Sequence, residues 1–521
     1  MLEKCKAFLR NFTVLKSSVR ELWVIYGLKI IYIIAYGLVN GTLVLWLSSD
    51  LGYGDKSAGF MVAAWSTCLT LITVLVGSLV DAVGLRRSLL LGFWICLWST
   101  GAMALCGSRM SALLLGLFPL AVGYALMLPV MVAAVKKYSN SSQRSLAFSL
   151  FYAFMNVGFA VAGWLFDYIR LRLGEYGQVA LPLGFTLSTY RVMFFWATVA
   201  SVPGILLLYF FLREGVEVTE QGVKITPLKT KYEGEGFFSS LLLSCKDTGR
   251  DWVRIFVSLW KQPAFYRFLI FLTLVVGVRL IFYHMNYTFP KYGIRELGEG
   301  APIGRLFGVL NPVLIVFLVP LAGALTQKVS AYKVVIWGSF VSGISMLFMA
   351  MPPAWFAGLA NGWFGDLVAH RWLGVDPAVP VNPLYVSITL GVILLSFGEA
   401  LWSPRLYEYP AAIAPKGQEA SYMSLSLLPY FIAKFFVGAI SGFLLERYCP
   451  AVGPRNSEFM WLLIALMALA TPVGLFVLRP YIQVKEQGRE DEVAEKMSQA
   501  EEAVQEEELL KGEGRVLINP S

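Results

Sequence analysis

The chain has 521 residues, of which 57% are hydrophobic and 15% are charged, and its mean hydropathy is +0.64. These values exclude an ordinary soluble domain and indicate a membrane protein with many spans. The net charge of +9 does not indicate a nucleic-acid partner, because the lysines and arginines fall mainly in alternate connections between the apolar runs.

Apolar runs of about 20 residues recur along the chain, and each is long enough to cross a bilayer as a helix. The sequence predicts about twelve such spans, at 22–48, 58–80, 87–107, 111–135, 145–169, 191–212, 264–290, 303–327, 332–351, 384–414, 420–445 and 458–479. They form an N-terminal half at 22–212 and a C-terminal half at 263–480, so the predicted fold class is an all-α membrane protein. Residues 1–21, 213–262 and 481–521 are predicted to be a cytoplasmic N-terminal segment, a cytoplasmic linker and an acidic cytoplasmic tail.

The basic residues of the connections predict the orientation of the bundle. They cluster before the first span and in every second connection, for example at Arg86 and Arg87 and at Lys136 and Lys137. Because cytoplasmic connections are enriched in lysine and arginine, we expect both termini to lie in the cytoplasm, with the protein in the plasma or inner membrane of a cell. The segment before the first span is charged throughout, so we expect no cleaved signal peptide.

Several polar segments lie between and beyond the spans. Polar residues recur at helical spacing over Asp251–Lys261 in the linker, which predicts an amphipathic helix in the membrane interface. Two long connections, Leu171–Thr189 and Pro352–Pro383, face outward in the predicted orientation. The second contains tryptophans among glycines and prolines, so it is either an interfacial cap or a disordered loop. The glutamate-rich tail after Lys485 permits a solvated helix.

Cysteine and histidine usage argues against metal and hydrolytic chemistry. The six cysteines lack the spacing of a zinc site or a disulfide framework, and the only histidines are His284 and His370. We interpret His284 as a packing residue, with proton handling as the alternative. No nucleophile with a base and no phosphate-binding loop is visible, so the sequence predicts neither an enzyme nor a bound cofactor or metal.

Three charged residues lie deep inside predicted spans, where a charge costs about 2.5–3.5 kcal/mol even on lenient insertion scales. They are Arg279 in the seventh span, Glu399 in the tenth and Lys434 in the eleventh. We expect them to face one another or internal water. Glu399 and Lys434 lie at similar depth in antiparallel spans and can form a pair, with Arg279 as the other candidate partner of Glu399.

A glycine-rich connection follows the second span. It reads Gly77-Ser-Leu-Val-Asp81-Ala-Val-Gly84-Leu-Arg86-Arg87, and a weaker copy follows the eighth span. The first copy closely resembles the loop signature of the major facilitator superfamily, G-x-L-x-D-x-x-G-R-[RK]. This resemblance implies two six-helix halves around a central site, and a conformational latch formed by Gly77, Asp81, Gly84, Arg86 and Arg87.

Further segments resemble the proton-dependent oligopeptide transporter family. The tenth-helix motif of that family, G-E-x-x-x-S-P, matches the segment from Gly398 to Pro404, and its N-P and F-Y-x-x-x-N-x-G motifs match segments that contain Asn311 and Asn156. The resemblance implies that Asn156, Asn311 and Glu399 line the central cavity and meet the amino end of a peptide. A carboxylate and two amide oxygens can accept the three hydrogen bonds of an ammonium group. For each asparagine the alternative is an interhelical hydrogen bond.

The first span departs from the family pattern. The motif E-x-x-E-R-F-x-Y-Y-G falls on Leu28-Lys29-Ile30-Ile31-Tyr32-Ile33-Ile34-Ala35-Tyr36-Gly37, and the fourth-helix lysine falls on Leu128. The family's usual proton pathway and carboxylate clamp are therefore missing. Arg279 and Lys434 are cations in other helices that can substitute for the clamp. Proton coupling is left open, and weak or absent coupling is the prediction.

The leading hypothesis is a secondary transporter of a small organic solute that is peptide- or amino-acid-like. Its substrate-binding residues are predicted to be Asn156, Arg279, Asn311, Glu399 and Lys434. The alternative is a non-transporting membrane sensor or assembly partner built on the same fold. A small-molecule substrate and the lipid bilayer are the predicted partners. The solute, the direction of transport, the coupling ion and the oligomeric state are left open.

Overall fold

A computed structural model describes residues 18–180, 184, 186–219, 222–225, 263–326, 329–413 and 428–482, with single positions in the linker. Its long helices, numbered α1 to α12, are Arg20–Ser49, Asp55–Val83, Leu85–Leu105, Arg109–Lys137, Ser141–Leu173, Thr189–Phe211, Pro263–Tyr287, Gly304–Val309 continued by Leu310–Leu325, Ala331–Ser345 continued by Leu347–Ala350, Pro383–Ile413, Leu428–Tyr448 and Ser457–Val477. Among the described residues, ten helices are long and apolar enough to cross a membrane. The predicted all-α membrane fold is confirmed.

Local signals explain where several helices start. The side chains of Asn140, Ser188 and Asn456 cap α5, α6 and α12 by accepting hydrogen bonds from backbone N–H groups of the first turn. Gly84 separates α2 from α3 with a φ of 93°, a backbone conformation that residues other than glycine rarely adopt. Large apolar side chains cover the outside of the bundle, for example those of Trp98, Phe210 and Phe317. Such a surface suits contact with lipid.

Each half packs as a bundle of its own. In the N-terminal half, α1 lies against α5 and α6, and α3 lies between α4 and α6. In the C-terminal half, α7 lies against α11 and α12, and α9 lies between α10 and α12. The equivalent helices of the two halves make equivalent contacts, as expected for an internal repeat.

The end of one span and the structure of two connections differ from the prediction. The seventh span was expected to reach residue 290, but α7 ends at Tyr287 and a separate short helix covers Phe289–Leu297. Pro290 explains the break, because proline has no N–H for the helix interior and is favoured in the first turn of a new helix. Two small antiparallel hairpins were not expected. One pairs β1 (Gln178–Ala180) with β2 (Thr186–Ser188), and the other pairs β3 (Val216–Thr219) with β4 (Gly222–Ile225).

The connection 352–383 is folded, so the disordered-loop alternative was wrong. It forms short helical turns at Pro353–Phe356, Ala357–Ala360, Trp363–Gly365 and Asp366–Trp372. Phe356 and Ala360 pack on Val386 of α10, while Trp355 and Trp363 are 72% and 77% exposed. The predicted interfacial helix at 251–261 lies outside the described residues except for Val257, and so does the tail after Ile482.

The two halves meet closely on one side of the bundle. We call the side that holds the start of α1 the proximal side, and the side that holds the connection between α1 and α2 the distal side. On the distal side α2 packs on α11 without room for side chains. A Cβ atom on Gly438 would lie 2.6 Å from the Cα of Ala63, and one on Gly442 would lie 2.3 Å from the carbonyl oxygen of Asp55. Small residues allow this backbone approach, as in other membrane helix pairs.

A second distal contact joins α5 to α8. A Cβ atom on Gly163 would lie 2.7 Å from the carbonyl carbon of Gly308. Beside these glycines, the carboxylate of Asp167 accepts hydrogen bonds from the backbone N–H groups of Gly304 and Arg305, at 2.8 and 2.6 Å. A carboxylate from the N-terminal half therefore caps the first turn of a helix in the C-terminal half, where the helix dipole favours negative charge.

Ion pairs add a third distal contact. Asp55 at the start of α2 pairs with Lys291 at 2.7 Å and with Arg295 at 2.8 Å. Both cations belong to the short helix that follows α7, and Lys291 also donates to the hydroxyl of Ser48. The pairs are largely buried, so separating the halves here would leave charges without partners.

Candidate functional site

Glu399 lies on α10 and is held by a neighbour on α8. Its Oε2 accepts a hydrogen bond from Nδ2 of Asn311 at 2.9 Å, and the same amide donates to the hydroxyl of Ser396 at 3.0 Å. Ser396 in turn donates to the carbonyl of Val392 in its own helix. The Asn311 amide carbonyl is left free of these bonds, so a carboxylate and an amide oxygen lie side by side within the bundle.

Arg279 supplies positive charge near Glu399. It lies on α7, and the centre of its guanidinium is 4.5 Å from the centroid of the Trp402 ring. The guanidinium is also close enough to attract the carboxylate of Glu399 electrostatically. Trp402 is fixed by a 3.0 Å hydrogen bond from its indole N–H to the hydroxyl of Ser342 on α9. The structure therefore brings together three of the predicted residues, Arg279, Asn311 and Glu399, from three helices.

Lys434 lies apart from this group, and its expected pairing with Glu399 is not found. Within the part of the chain that the structure describes, no hydrogen bond or ion pair joins the two residues. The ammonium of Lys434 instead lies 5.7 Å from the ring centroid of Tyr283, one helical turn beyond Arg279 on α7. Helix rotation explains the difference, because equal depth in two antiparallel helices does not place side chains on facing sides.

Asn156 lies on α5 in the other half. Its side-chain amide is buried and donates to the backbone carbonyl of Tyr152 at 2.9 Å, four residues earlier in the same helix. Tyr152 packs against Ile315 of α8 and Ala400 of α10. The structure thus places Asn156 beside the contact between the halves, and its described hydrogen bond is within its own helix rather than between helices.

The predicted latch residues lie at the proximal end of α2 and α3. Arg86 donates to the carbonyl of Tyr209 near the end of α6, at 2.8 Å, and Arg87 pairs with Glu214 at 3.3 Å. Cations are favoured at such helix C-termini because unpaired carbonyls collect there. Among the described contacts, these arginines therefore bind within the N-terminal half and the start of the linker. The side chain of Asp81 lies outside the described part.

His284 has a packing partner. It is 1% exposed, and its Nδ1 shares a 2.8 Å hydrogen bond with the hydroxyl of Thr288 one turn later. This contact agrees with the interpretation of His284 as a satisfied buried residue. No cluster of histidine, cysteine or acidic residues that could hold a metal ion occurs among the described residues.

Sequence reasoning missed Lys29 on α1. This residue is completely buried, and its ammonium has no hydrogen-bond partner among the residues that the structure describes. Aromatic rings surround it instead. The ammonium lies 4.5 Å from the ring centroid of Phe151 and 5.8 Å from that of Tyr32. The signal that identified Glu399, a charge well inside an apolar span, was equally present at Lys29.

A buried polar network at the distal end of α5 was also missed. Arg170 is 1% exposed and donates from Nε to both oxygens of Glu175, at 3.1 and 3.0 Å. It also donates to the backbone carbonyl of Ala301 at 2.9 Å, and Tyr190 donates its hydroxyl to Glu175. Together with Asp167, this network links the distal ends of the two halves. Charges at the end of a long apolar span were its only signal in the sequence.

Solved structures with the same fold were found by structural comparison. A POT family transporter in complex with 5-aminolevulinic acid matches with a TM-score of 0.65 and 15% identity, over 89% of this chain and 97% of the other. The peptide transporter POT in complex with sulfate matches with a TM-score of 0.62 and 17% identity, over 89% and 95%. An auto-inhibited POT family peptide transporter matches with a TM-score of 0.63 and 16% identity, over 90% and 98%.

Sequence comparison gives the family. No curated protein sequence matches the chain. The profile that describes the Major Facilitator Superfamily matches residues 25–369, which is more than half of the chain and begins within α1. With the two six-helix halves and the glycine-rich connection after α2, this match identifies the protein as a multi-pass membrane protein that belongs to the major facilitator superfamily of transporters.

Proposed function

We propose that the protein is a secondary transporter of a small, peptide- or amino-acid-like organic solute, which binds between the halves at Asn156, Arg279, Asn311, Glu399 and Lys434. The observation that supports this most is the Glu399 carboxylate inside the bundle, where it accepts a hydrogen bond from Asn311. A charge at such depth is costly, and in transporters such charges usually belong to the substrate or ion pathway. The solved structures of similar fold include complexes with 5-aminolevulinic acid and with a thioalcohol-conjugated peptide.

The chemistry of the site suits a solute with both an ammonium and a carboxylate. The second oxygen of Glu399 and the amide oxygen of Asn311 are hydrogen-bond acceptors, which an ammonium group can use. The Arg279 guanidinium and the Lys434 ammonium are donors for a carboxylate. The aromatic faces of Trp402 and Tyr283 beside these cations can contact the apolar part of the solute.

The contacts between the halves suggest how the site is exposed. The described contacts of α2 with α11, of α5 with α8 and of Asp55 with Lys291 all lie on the distal side. In the predicted orientation the distal side faces outward, so this conformation is closed to the outside. Alternating access would require these contacts to break while the proximal ends approach each other.

Binding and transport should be tested separately. Purified protein should gain thermal stability with its solute, because a ligand that binds the folded state raises the free energy of unfolding. Counterflow in proteoliposomes should then show exchange of the same solute. Both signals should fall in Glu399→Gln and in Asn311→Leu, and should persist in Lys224→Met, which replaces an exposed residue of β4. Binding without exchange would support the sensor alternative, and loss of neither signal in the cavity variants would contradict the site.

A further inference from the structure

Lys29 and Lys434 are two ammonium groups without acidic partners. Lys29 lies on α1 of the N-terminal half and Lys434 on α11 of the C-terminal half, and neither forms an ion pair with any residue that the structure describes. The ammonium of Lys29 lies over the ring of Phe151 and that of Lys434 over the ring of Tyr283, and a cation over a ring is stabilised far less than a paired one.

The charge of the site is therefore unbalanced. Glu399 contributes one negative charge and Arg279, which attracts it, contributes one positive charge, so these two cancel. Lys29 and Lys434 then add two positive charges with no described counter-charge. Keeping such charges within a membrane protein is expensive, and a bound anion would offset that cost.

Further unsatisfied donors lie between the two lysines. The hydroxyl of Tyr124 and the indole N–H of Trp65 are buried without a hydrogen-bond partner in the described structure. The ring of Tyr124 is 5.7 Å from that of Tyr32, which lies beside Lys29, and 6.3 Å from that of Trp65. These groups can all donate hydrogen bonds to an anion.

Further contacts lead from Trp65 to Lys434. Ser66, the next residue, shares a 3.2 Å hydrogen bond with the hydroxyl of Tyr287 in the C-terminal half. Tyr287 stacks on Tyr283 at a centroid distance of 6.1 Å, and Tyr283 lies beneath the ammonium of Lys434. Ring contacts and the hydrogen bond between Ser66 and Tyr287 thus connect one ammonium group in each half, and the donors without partners lie along this path.

We propose that the transported solute is an organic anion with two carboxylates, one bound by Lys29 and the other by Lys434, with its apolar body against the aromatic rings between them. This inference rests on the proposed transport function and narrows its substrate to acidic amino-acid- or peptide-like compounds. An ammonium on the same solute would still find Glu399 and the amide oxygen of Asn311. Because Lys29 is fully buried in this conformation, with the ring of Phe151 against its ammonium, binding requires the side chains that cover Lys29 to move aside.

Matched pairs of ligands test the charge requirement on purified protein. Thermal stabilisation should be titrated with the dipeptides Ala-Glu, Ala-Gln and Ala-Lys, and with glutarate and its monoamide. The members of each pair differ little in shape and mainly in charge. Ala-Glu and glutarate should bind about tenfold or more tightly than their amides, since a lost charge-assisted hydrogen bond weakens binding by that order. Equal affinity for acid and amide, tighter binding of Ala-Lys, or no stabilisation by either acid would overturn the proposal.

Variants then assign the preference to the two lysines. In Lys29→Met and in Lys434→Met the ratio of acid to amide affinity should fall toward one, whereas Lys224→Met should keep it. A preference that survives both substitutions would also overturn the proposal. Counterflow distinguishes its failure from that of the transport function. Exchange of neutral dipeptides without a preference for acids would support the transport function and contradict the diacid substrate. Binding of acids without any exchange would support the diacid ligand and contradict the transport function.

Discussion

Glu399 and Lys29 are both charged groups inside the bundle, and the protein surrounds them differently. Glu399 has a hydrogen bond from Asn311 and the positive charge of Arg279 nearby. The ammonium of Lys29 lies over the faces of Phe151 and Tyr32 and has no hydrogen-bond partner among the described residues. The first arrangement offsets part of the cost of burial, and the second leaves a cost that a ligand can recover.

A pair of double-mutant cycles distinguishes the partner of Glu399. Glu399→Gln combined with Arg279→Met should show a coupling free energy of about 0.5–3 kcal/mol, because the two groups interact directly. Glu399→Gln combined with Lys434→Met should be additive within about 0.5 kcal/mol, as expected for residues without shared contacts. Chemical denaturation in detergent measures all the variants. Strong coupling to Lys434 and none to Arg279 would reverse the assignment.

Replacing Lys29 should stabilise the ligand-free protein. In Lys29→Met a side chain of similar length fills the same space without a buried charge, so the free energy of unfolding should rise by roughly 1 kcal/mol or more. The melting temperature without ligand measures the effect, and Lys224→Met at an exposed site should change stability by less than about 0.5 kcal/mol. A clear fall in melting temperature would mean that the ammonium of Lys29 has a stabilising partner.

At the scale of helices, glycines set how closely the halves approach. Gly438 and Gly442 of α11 contact the backbone of α2, and Gly163 of α5 contacts Gly308 of α8. These contacts leave no room for a methyl group. The helices can therefore approach this closely on the distal side only because glycine occupies these positions. The polar groups beside them, Asp55 and Asp167, then add hydrogen bonds across the same interface.

Gly438→Val should shift the equilibrium toward a state that is open on the distal side. Its Cβ atom would overlap Ala63, and the two helices can relieve the clash only by moving apart. Spin labels at Lys56 and Val452, two exposed distal positions in different halves, should report a longer distance than in the parent protein. Gly323→Val, where an added Cβ meets nothing within 4 Å, is the control. An unchanged distance distribution in Gly438→Val would contradict the role of this contact.

Much of the fold could be predicted from the sequence, and less of the site. Apolar runs located the helices well, because about 20 apolar residues are needed to cross a bilayer whatever the fold. The same runs do not report which side of a helix faces a neighbour. For that reason Lys434 was considered as a partner of Glu399 and Lys29 was overlooked, although the structure places Lys434 beside Tyr283. It brings Arg279 and Asn311 near Glu399. The folded connection 353–372 depends on packing against α10, which composition does not report.

At the scale of the whole molecule, two halves close together on the distal side around a site with more cations than acids. The described contacts between them combine close backbone packing, ion pairs and a helix cap. Any solute that moves through the bundle must offset the cost of breaking these contacts with interactions of its own. Two ammonium groups in different halves are well placed to do so, because one anion can hold both.

Proton coupling is the whole-molecule property for which the family resemblance and the residues disagree. The first-helix carboxylates of the oligopeptide transporters are replaced by Leu28 and Ile31, and Arg279 lies near Glu399. We therefore expect weak or absent coupling, with facilitated or exchange transport. Proteoliposomes with an inward proton gradient and no solute gradient should show no concentrative uptake. Uphill accumulation that disappears in Glu399→Gln would show that the family mechanism is retained.

The cap that Asp167 forms on α8 offers a way to measure how often the two halves separate on the distal side. The carboxylate of Asp167 accepts hydrogen bonds from the backbone amides of Gly304 and Arg305. These bonds exist only while the halves are in contact on the distal side. When the halves separate, these hydrogens face solvent in a first turn that has lost its cap. Deuterium uptake at these two amides should therefore measure the fraction of time that the protein spends open to the distal side, without any label attached.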